Sequence, residues 1–324
     1  MLPEVASWLR RRTSAAADWP LEALLAAKGD ARVSVVLPAR DEERTVGAIV
    51  GAIRSDLVER APLVDEIVVV DSRSTDRTAE VAEAAGADVV VQDLVLPGHG
   101  RMSGKGEALW KSLAATTGDL LVFVDADLRG FTSSYVTGLL GPLLDDPDVA
   151  YVKGCYDRPL VTGERRVENG GGRVTELVAR PVINLHWPRL AGVMQPLGGE
   201  YAGRRSVLER LPFVTGYGVE IGLLLDVYQE EGLDAIAQVD LGRRTHSHQS
   251  TEALGIMSGQ ILLTAWSRLE RHGRMLPMEA PATALAQFHR GPDGHDVRVS
   301  DVGVGERPPM IEIPEYAADR TLLR

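Results

Sequence analysis

The amino-acid sequence predicts an α/β protein whose central sheet is mostly parallel and is flanked by helices. Two observations predict this fold. Short β-branched segments alternate with helical segments between residues 32 and 124, and a polar turn follows each apolar segment. This β-α-β-α-β-α-β order needs crossover helices, which cover both faces of a parallel sheet. Ligands bind such sheets at the carboxyl ends of the strands, so we expect the chemistry in the turns that follow them.

The predicted elements follow one another at short intervals. Strands are predicted at 33–37, 66–70, 87–91 and 119–124, and the helices between them at 43–57, 76–85 and 106–115. Beyond an apolar segment at 149–154 this alternation weakens. A polar, glycine-rich loop at 162–172 then precedes predicted helices at 174–185, 219–228 and 254–271, a turn at 198–201 that enters a strand, and a strand at 234–239.

These patterns divide the chain into four regions. Residues 1–30 carry apolar positions at helical spacing and are predicted to form one or two leading helices. Residues 31–155 and 156–271 are predicted to form two halves of one α/β domain. Residues 272–324 are rich in proline, glycine and histidine and have little periodicity, so we expect a partly ordered C-terminal arm.

The composition argues against several classes of protein. The net charge of −11 argues against non-specific nucleic-acid binding, which needs a basic surface, although a local basic pocket can still bind an anionic substrate. The longest apolar runs are strand-sized, so neither a secretory signal nor a membrane span is expected. The single cysteine, Cys155, excludes an intrachain disulfide and favours a reducing cytoplasm; its ordinary interpretation is a small buried hydrophobe.

The segment Asp125-Ala126-Asp127 directly follows a strongly apolar predicted strand. Two carboxylates one residue apart at a strand end point into the crevice, where they can ligate a hard divalent cation. Such a cation neutralises a diphosphate leaving group. Helix capping explains many Asp-x-Asp pairs taken alone, but the position at the end of this strand favours the metal.

The turns after the first two strands are also polar. Pro38-Ala39-Arg40-Asp41-Glu42 follows the first strand and can hold a nucleoside base and ribose; alternatively, its acidic residues cap the next helix. The turn at 71–76 follows the second strand. Its first residues, Asp71-Ser72, are predicted to face the nucleotide, and Ser74 or Thr75 is predicted to cap the following helix.

Two glycine-rich segments begin predicted helices and are candidate anion sites. Gly104-Lys105-Gly106 places a lysine at a helix N-terminus, which favours a phosphate group, although the segment lacks the P-loop pattern. Gly170-Gly171-Gly172-Arg173-Val174-Thr175 offers backbone N–H groups, a guanidinium and a hydroxyl to a second anion. A solvated surface lysine and a flexible linker are the respective alternatives.

Two later segments complete the candidates. Gly216-Tyr217-Gly218-Val219-Glu220 opens another helix, and Arg243-Arg244-Thr245-His246-Ser247-His248 follows the strand at 234–239. His246 and His248 alternate along an extended segment and so share one face. One of them can complete the coordination of a metal held by Asp127. Surface histidines without a role are the alternative.

Together these motifs resemble those of a known family. The order strand-Pro-Ala-x-(Asn/Asp)-Glu-Glu, then Val-Val-Asp-Ser-x-Ser-x-Asp, then Asp-x-Asp is similar to that of the GT-A nucleotide-sugar glycosyltransferases. Within them, the sequence resembles the family of the actinobacterial glucosyl-3-phosphoglycerate synthases, which also includes mannosyl-3-phosphoglycerate synthases. The resemblance runs from about residue 32 to 270 and rests on segments 38–42, 104–110, 171–181, 195–202 and 216–222.

The resemblance implies a GT-A (Rossmann-like) fold with a C-terminal region for acceptor binding and dimerisation, in a homodimer. It implies a retaining transfer of glucose from UDP-glucose to the 2-hydroxyl of 3-phospho-D-glycerate with Mg²⁺ (or Mn²⁺), in glucosylglycerate or methylglucose lipopolysaccharide biosynthesis. The half at 31–155 then binds the nucleotide sugar, and the half at 156–271 contains the acceptor-binding and catalytic residues.

Carried over residue by residue, the resemblance implies roles for the positions above. It implies catalytic roles for Lys105, Asp127, Leu197 and Glu220. It implies donor contacts for Pro38, Ala39, Arg40, Asp41, Glu42, Ser72, Lys105, Asp125, Ala126, Asp127, Leu197, Tyr217, Glu220 and Arg244. It implies acceptor contacts for Gly172, Arg173, Thr175 and His248, and a metal site formed by Asp127 and His246.

The sequence departs from the family pattern at two places, and three alternatives stay open. Arg40-Asp41 stands where Leu-Asn is expected, which affects contacts to the base or ribose, and His248 stands where an asparagine is expected near the acceptor. GDP-mannose is the alternative donor. A nucleotidyltransferase usually has a basic glycine-rich loop after the first strand, where this chain has Pro38-Ala39-Arg40-Asp41-Glu42. A non-catalytic nucleotide-sugar-binding protein would not need the acceptor segment at Arg173.

Overall fold

The computed structural model describes residues 1–157, 160–162, 165–167, 172–244, 250–291 and 294–322. Within these ranges the chain forms fourteen strands: β1 Thr13–Ala15, β2 Val33–Ala39, β3 Glu66–Asp71, β4 Asp88–Val91, β5 Leu120–Phe123, β6 Tyr151–Asp157, β7 Leu160–Thr162, β8 Arg165–Val167, β9 Tyr201–Arg204, β10 Phe213–Val214, β11 Ile236–Arg243, β12 Ala284–Gly291, β13 Gly294–Asp301 and β14 Glu306–Arg307.

The same ranges contain eleven α-helices: α1 Pro3–Arg12, α2 Leu21–Lys28, α3 Val46–Arg54, α4 Thr78–Ala85, α5 Lys105–Ala115, α6 Ser134–Asp145, α7 Arg180–His186, α8 Arg205–Leu208, α9 Val219–Glu231, α10 Thr251–Arg271 and α11 Pro314–Leu322. A π-helical turn at Ser55–Glu59 continues α3, and another at Thr175–Ala179 leads into α7. No helix in the described part of the chain is both long enough and apolar enough for a membrane crossing.

Eight strands form one sheet in the order β1-β11-β6-β9-β5-β2-β3-β4. Neighbouring strands are parallel except at β9, which runs antiparallel to both β5 and β6. In the parallel part, Val36 of β2 pairs with Phe123 of β5, and Ala39 pairs with Asp71 of β3. The mostly parallel α/β fold predicted from the sequence is therefore confirmed, and the carboxyl ends of β2, β3 and β5 lie side by side.

Alternate residues of the central strands face two separate hydrophobic cores. On β2, Val36 belongs to the core that contains α5 and α9, whereas Val35 and Leu37 belong to the core that contains α3 and α6. All three side chains are fully buried. A strand covered on both faces needs an apolar residue at almost every position, which is why a continuous apolar run predicts a buried parallel strand.

The structure adds elements that the sequence pattern does not predict. Residues 1–30 contain two helices, as predicted, but β1 lies between them and pairs in parallel with β11 at the edge of the sheet. Helix α6 occupies part of the stretch between the predicted strands at 119–124 and 149–154, and its glycines and internal Pro142 are typical of loops rather than helices. Packing against the sheet overrides these weak local preferences.

The C-terminal region is more regular than its sequence predicts. Instead of a partly ordered arm, β12 and β13 form an antiparallel hairpin, β14 pairs with β10, and α11 follows. Met310 and Ile313 are buried in the core that contains α5 and α9. This burial depends on contacts with residues distant in the sequence, so the periodicity of the tail does not reveal it.

Helix α1 is predicted to be integral to the domain, because Trp8 is fully buried and its indole N–H donates to the Ile236 carbonyl at 2.8 Å. Replacing a buried tryptophan with alanine typically costs about 3–5 kcal/mol. We expect Trp8→Ala to lower the free energy of unfolding by that amount in urea denaturation. As a control, Trp8→Phe keeps most of the packing and should cost less. Wild-type stability of Trp8→Ala would show that α1 is dispensable.

Candidate active site

Polar residues at the strand ends converge with the first turns of two helices. Asp125 and Asp127 follow β5, and Arg244 follows β11. Lys105 is the first residue of α5, and Glu220 lies in the first turn of α9. The carboxyl ends of parallel strands meet at one edge of the sheet, and the helix N-termini return to that edge because the helices run opposite to the strands.

Asp125 is bridged by two cations. Its Oδ1 accepts a hydrogen bond from the Lys105 ammonium, and its Oδ2 accepts one from Arg244 Nη2 at 2.8 Å. Lys105 also pairs with Glu220 Oε1 at 2.8 Å, and Arg244 Nη2 also donates to Asp127 Oδ1 at 3.1 Å. These charged groups, which come from distant parts of the chain, therefore form one connected network.

The network keeps Asp125 and Lys105 charged. Burial by itself would raise the pKa of Asp125, but the Lys105 and Arg244 cations outweigh it and hold the pKa far below its ordinary value. Burial would likewise lower the pKa of Lys105, but Asp125 and Glu220 raise it well above its ordinary value. Lys105 is therefore a permanent cation at the N-terminus of α5, a position that favours phosphate.

Arg244 is fixed on its other side by residues that the sequence analysis did not select. Its Nη1 donates to Tyr156 Oη and to Glu200 Oε2, both at 2.9 Å, and Tyr156 Oη donates to Glu200 Oε2 at 2.7 Å. Glu200 is fully buried, and this burial raises its pKa. The one sequence signal for Glu200 is its place between a Gly-Gly turn and a strand, and Tyr156 has no comparable signal.

The loop that enters β9 presses against Asp125. A Cβ atom at Gly199 would lie 2.3 Å from Asp125 Oδ1, so a larger residue does not fit without displacing the carboxylate. The Gly198 carbonyl accepts a hydrogen bond from the fully buried Lys153 ammonium. Leu197, one residue earlier, is half-buried against the core. The position of Lys153 inside a buried strand gives no sequence signal for this contact.

A cavity of about 370 Å³ opens beside the network, a volume typical of small-molecule sites. It is lined by the ends of β2 and β3, the start of α5, the turn before α9, and α10, through Pro38, Ala39, Arg40, Ser72, Ser103, Gly104, Lys105, Ala108, Gly216, Tyr217 and Gln260. Six of the predicted donor residues are among them. Gln260, which the sequence analysis missed, accepts the Tyr217 N–H at 2.9 Å and lies on a helix face without a distinctive motif.

Asp41 joins the turns that follow β2 and β3. It has a positive φ of 57°, and its Oδ1 accepts hydrogen bonds from the Thr75 N–H at 2.7 Å and from Thr75 Oγ1 at 3.1 Å. Its own N–H donates to Ser74 Oγ at 3.0 Å. Helix α4 begins only at Thr78, whose N–H donates to Asp76 Oδ1 at 2.9 Å. The predicted helix cap at Ser74 or Thr75 is therefore wrong.

Glu42 and Ala126 lie close to the paired aspartates. Burial raises the pKa of Glu42, and the neighbouring Asp127 and Asp125 carboxylates raise it further. The Ala126 carbonyl accepts a hydrogen bond from Thr45 Oγ1 at 2.6 Å, which ties the loop after β2 to the loop after β5. The Glu42, Asp125 and Asp127 carboxylates therefore lie close enough together at this edge of the sheet to affect one another.

The candidate acceptor residues lie at the start of the helical segment that packs against α10. Gly172 has a positive φ of 69°, Arg173 is half-buried, and the Thr175 side chain is buried. Because α10 also lines the cavity, a single helix contacts both the candidate acceptor segment and the candidate donor cavity.

The described residues fit a divalent cation held at Asp127. Its side chain is 40% exposed, and among the described residues only its Oδ1 accepts a hydrogen bond, so its other oxygen can reach a metal. The described ranges contain no cluster of three metal-ligating side chains, so further ligands would come from beyond them, from water or from a substrate. His246 and His248 lie outside the described residues.

Residues 34–211 match the family described as Glycosyl transferase family 2. The chain is 48% identical over 303 residues to a glucosyl-3-phosphoglycerate synthase of Mycolicibacterium smegmatis, in an alignment that covers 94% of this chain and 97% of that protein. The structure is similar to that of mannosyl-3-phosphoglycerate synthase from Rubrobacter xylanophilus, with a TM-score of 0.88 and 40% identity over 95% of this chain and 99% of that one.

The structure is also similar to that of glucosyl-3-phosphoglycerate synthase from Mycobacterium tuberculosis in complex with Mn²⁺, uridine diphosphate and phosphoglyceric acid. The TM-score is 0.80 at 45% identity, and the alignment covers 90% of this chain and 94% of that one. A second complex of that enzyme, with Mn²⁺, UDP-glucose and phosphoglyceric acid, has a TM-score of 0.79.

We expect Gly199→Ala to lower kcat about a hundredfold, because the new methyl group displaces the Asp125 carboxylate from its cations. Gly198→Ala is a matched control, since its nearest neighbouring atoms would lie 3.3 Å away. Steady-state kinetics and urea denaturation of both variants separate activity from stability. Equal activity of the two folded variants would contradict the importance of the contact between Gly199 and Asp125.

Burial lowers the pKa of Lys153 from 10.5 to about 8. Between these values the unfolded chain binds one more proton than the folded chain, so this residue makes the free energy of unfolding rise with pH. Between about pH 8 and pH 10, we expect the free energy of unfolding of the wild type to rise by up to about 3 kcal/mol relative to that of Lys153→Met. Urea denaturation of both proteins across this range measures the change. A stability difference that is independent of pH would contradict a buried, titrating Lys153.

Proposed function

The chain belongs to glycosyl transferase family 2, and we propose that it transfers glucose from UDP-glucose to the 2-hydroxyl of 3-phosphoglycerate with retention of configuration. The observation that carries the proposal is the network of Lys105, Asp125 and Arg244 beside the cavity at the strand ends. The similarity of the chain to the M. smegmatis glucosyl-3-phosphoglycerate synthase, over 94% of its length, supports this reaction.

The donor is proposed to bind in the 370 Å³ cavity, with its base and ribose between the turns after β2 and β3. Its diphosphate then lies at the N-terminus of α5, where Lys105 supplies a fixed positive charge. Asp41 is proposed to act by shaping this wall, since its carboxylate is already engaged by Thr75. This role is compatible with aspartate at a position where the family pattern has asparagine.

Asp127 and His246 are proposed to hold the divalent cation, Mg²⁺ or Mn²⁺. When bound, such a cation supplies positive charge that stabilises the departing nucleoside diphosphate. Lys105 adds a second, preorganised charge at the same end of the donor. The Asp125 and Asp127 carboxylates, which add to the effect of burial in raising the pKa of Glu42, support a role for added positive charge here.

Glu220 and the Leu197 backbone are proposed to position the sugar. The Glu220 carboxylate pairs with Lys105 at 2.8 Å and is 8% exposed, which suits a supporting role better than that of a nucleophile. Leu197 lies in the loop that contacts Asp125 through Gly199. The Glu220 and Asp125 carboxylates are both engaged by cations. The arrangement therefore favours same-face attack, with the leaving phosphate as base, over a covalent glycosyl-enzyme.

The acceptor phosphate is proposed to bind where the helical segment begins at Gly172. Arg173 supplies a positive charge there, Thr175 a hydroxyl, and the first turn its backbone N–H groups. His248 is proposed as a further acceptor contact. Because α10 supports this segment and also lines the donor cavity, it sets the spacing of the two substrates. Such fixed spacing converts a bimolecular encounter into a positioned reaction.

Glucose is favoured over mannose as the transferred sugar. The M. smegmatis relative with 48% identity is a glucosyl enzyme, whereas the mannosyl enzyme of R. xylanophilus is 40% identical. The mannosyl structure nevertheless has the higher TM-score, 0.88 against 0.80 for the M. tuberculosis glucosyl enzyme. GDP-mannose is therefore the competing donor that an assay has to include.

We propose that the protein works as a homodimer in the cytoplasm. On the hairpin, Phe288 pairs with Val297 and shares one face with Val299, and these side chains are 69%, 56% and 64% exposed. Trp266 of α10 is also exposed. A second copy would remove this apolar surface from water in a symmetric interface. Cys155 is a free, buried thiol, which is compatible with a reducing compartment.

The reaction is tested by incubating the protein with 3-phosphoglycerate, Mg²⁺ and either UDP-glucose or GDP-mannose, with the product identified by mass and NMR. We expect α-linked glucosyl-3-phosphoglycerate, formed faster than any mannosyl product. EDTA should abolish turnover, and Mg²⁺ or Mn²⁺ should restore it.

Each rival has its own outcome in this assay. Turnover with GDP-mannose alone would make the chain a mannosyl enzyme. Pyrophosphate release from a nucleoside triphosphate and a sugar phosphate would indicate a nucleotidyltransferase. Binding without turnover would indicate a sensor, and full activity in EDTA would overturn the metal assignment.

We expect Arg173→Ala to raise the KM for 3-phosphoglycerate by roughly ten- to a hundredfold, because a charged hydrogen-bond partner is lost. The KM for UDP-glucose should change little. Arg180→Ala is the matched control: it removes another guanidinium of the same helical segment, one that pairs with Glu176 at 2.7 Å, and should leave both KM values near wild type. If Arg173→Ala weakens donor binding alone, the glycine-rich segment belongs to the donor diphosphate.

A further inference from the structure

The C-terminal strand β14 carries an arginine that is buried against the start of α5. Arg307 donates from Nε to Glu107 Oε2 and from Nη2 to Glu107 Oε1, both at 2.7 Å. Its guanidinium carbon lies 4.8 Å from the centre of the Trp110 ring. Glu107 is fully buried, where its carboxylate also lies 3.5 Å from the buried Lys111 ammonium, and Arg307 is 6% exposed, so this group of charges lies almost entirely out of contact with water.

The same guanidinium holds the segment that leads to Lys105, residues 99–104, which we call the lysine loop. Arg307 Nη1 donates to the His99 carbonyl at 2.6 Å, and Nη2 donates to the Gly100 carbonyl at 3.1 Å. Glu107 Oε1 accepts the Met102 N–H at 3.4 Å. One ion pair therefore joins the C-terminal region, the lysine loop and the first turn of α5.

The rest of the lysine loop forms a wall of the donor cavity. Ser103 and Gly104 line it directly before Lys105. A Cβ atom at Gly104 would lie 2.1 Å from the Thr215 carbonyl oxygen, so the loop passes close to the residues after β10. The Thr215 N–H in turn donates to the Gly305 carbonyl at 2.9 Å, two residues before Arg307. The C-terminal segment thus braces the loop through both β10 and Arg307.

We propose that Arg307 is a positioning residue for the donor, a role that rests on the proposed function of the cavity. By holding the lysine loop, it sets the cavity wall and the place where Lys105 meets the nucleotide diphosphate. Release of the loop would move these parts together, so donor affinity should fall. The acceptor segment at Arg173 packs against α10 instead, so acceptor affinity should change little.

A variant at a second buried arginine distinguishes this positioning role from a general effect on stability. Arg268 pairs with Asp226 Oδ2 at 2.6 Å and with Glu306 of β14, and it is fully buried. It anchors the same C-terminal strand as Arg307 but pairs with α9 rather than with the lysine loop. Arg268→Met is therefore a control that costs a buried ion pair on β14 while leaving the contacts of Arg307 in place.

The test measures Kd for UDP with Mn²⁺ by calorimetry, KM for UDP-glucose and for 3-phosphoglycerate, and Tm, for wild type, Arg307→Met, Arg307→Lys and Arg268→Met. We expect Arg307→Met to raise Kd for UDP and KM for UDP-glucose by roughly tenfold or more, with a much smaller change in KM for 3-phosphoglycerate. Arg307→Lys keeps the charge but not the forked contacts, so an intermediate effect is expected. Arg268→Met should lower Tm and leave Kd for UDP near wild type.

Each other outcome overturns a specific statement. If folded Arg307→Met or Arg307→Lys binds UDP like the wild type, Arg307 does not position the donor site. If Arg307→Met raises both KM values equally, Arg307 is a general stabilising residue. The same holds if the Arg307 and Arg268 variants raise Kd for UDP equally. If Arg307→Met does not fold, the Arg307→Lys measurements decide. A wild type that binds no UDP would instead overturn the proposed function, and the inference with it.

Discussion

The carboxylate of Asp125 is the point on which the site depends. It lies two residues after β5, a buried strand, and is held between Lys105 and Arg244. Because its side chain is only 19% exposed, this carboxylate depends on its cationic partners, so the end of β5, the start of α5 and the end of β11 stabilise one another when they meet. The close approach of Gly199 adds a steric condition to this electrostatic one. The contacts of Asp125 therefore both stabilise the fold and set the geometry of the site.

This arrangement leaves the edge of the sheet with more carboxylates than cations. Lys105 and Arg244 are committed to Asp125, and the pKa of Glu42 is raised by burial and by the neighbouring aspartates. Negative charge of this kind opposes binding of a diphosphate unless a cation is bound with it. The proposed metal and the proposed donor therefore depend on each other. In the proposed reaction, the site therefore has its full set of charges only when both the metal and the donor are bound.

The two ends of the chain brace this arrangement from outside the sheet. Near the N-terminus, Trp8 packs into the core and bonds to Ile236, the first residue of the strand that leads to Arg244. Near the C-terminus, Arg307 bonds to Glu107 in the first turns of the helix that Lys105 begins. Both cations of the network thus lie on elements that a distant part of the chain supports. The termini contribute to the geometry of the site rather than only enclosing it.

The sequence by itself determined the parallel sheet and the edge at which the chemistry lies, because strands covered on both faces need continuous apolar runs and the turns after them stay polar. It also selected Lys105, Asp125 and Glu220 as candidates, since each lies at an element boundary that local patterns reveal. Only the tertiary structure decided which side chains meet: the pairings of Arg244 with Asp125 and of Arg307 with Glu107, and the contact of Asp41 with Thr75 in place of the predicted helix cap. These contacts join residues far apart in the chain. Local periodicity reports only whether a position is buried, and burial alone does not specify the partner.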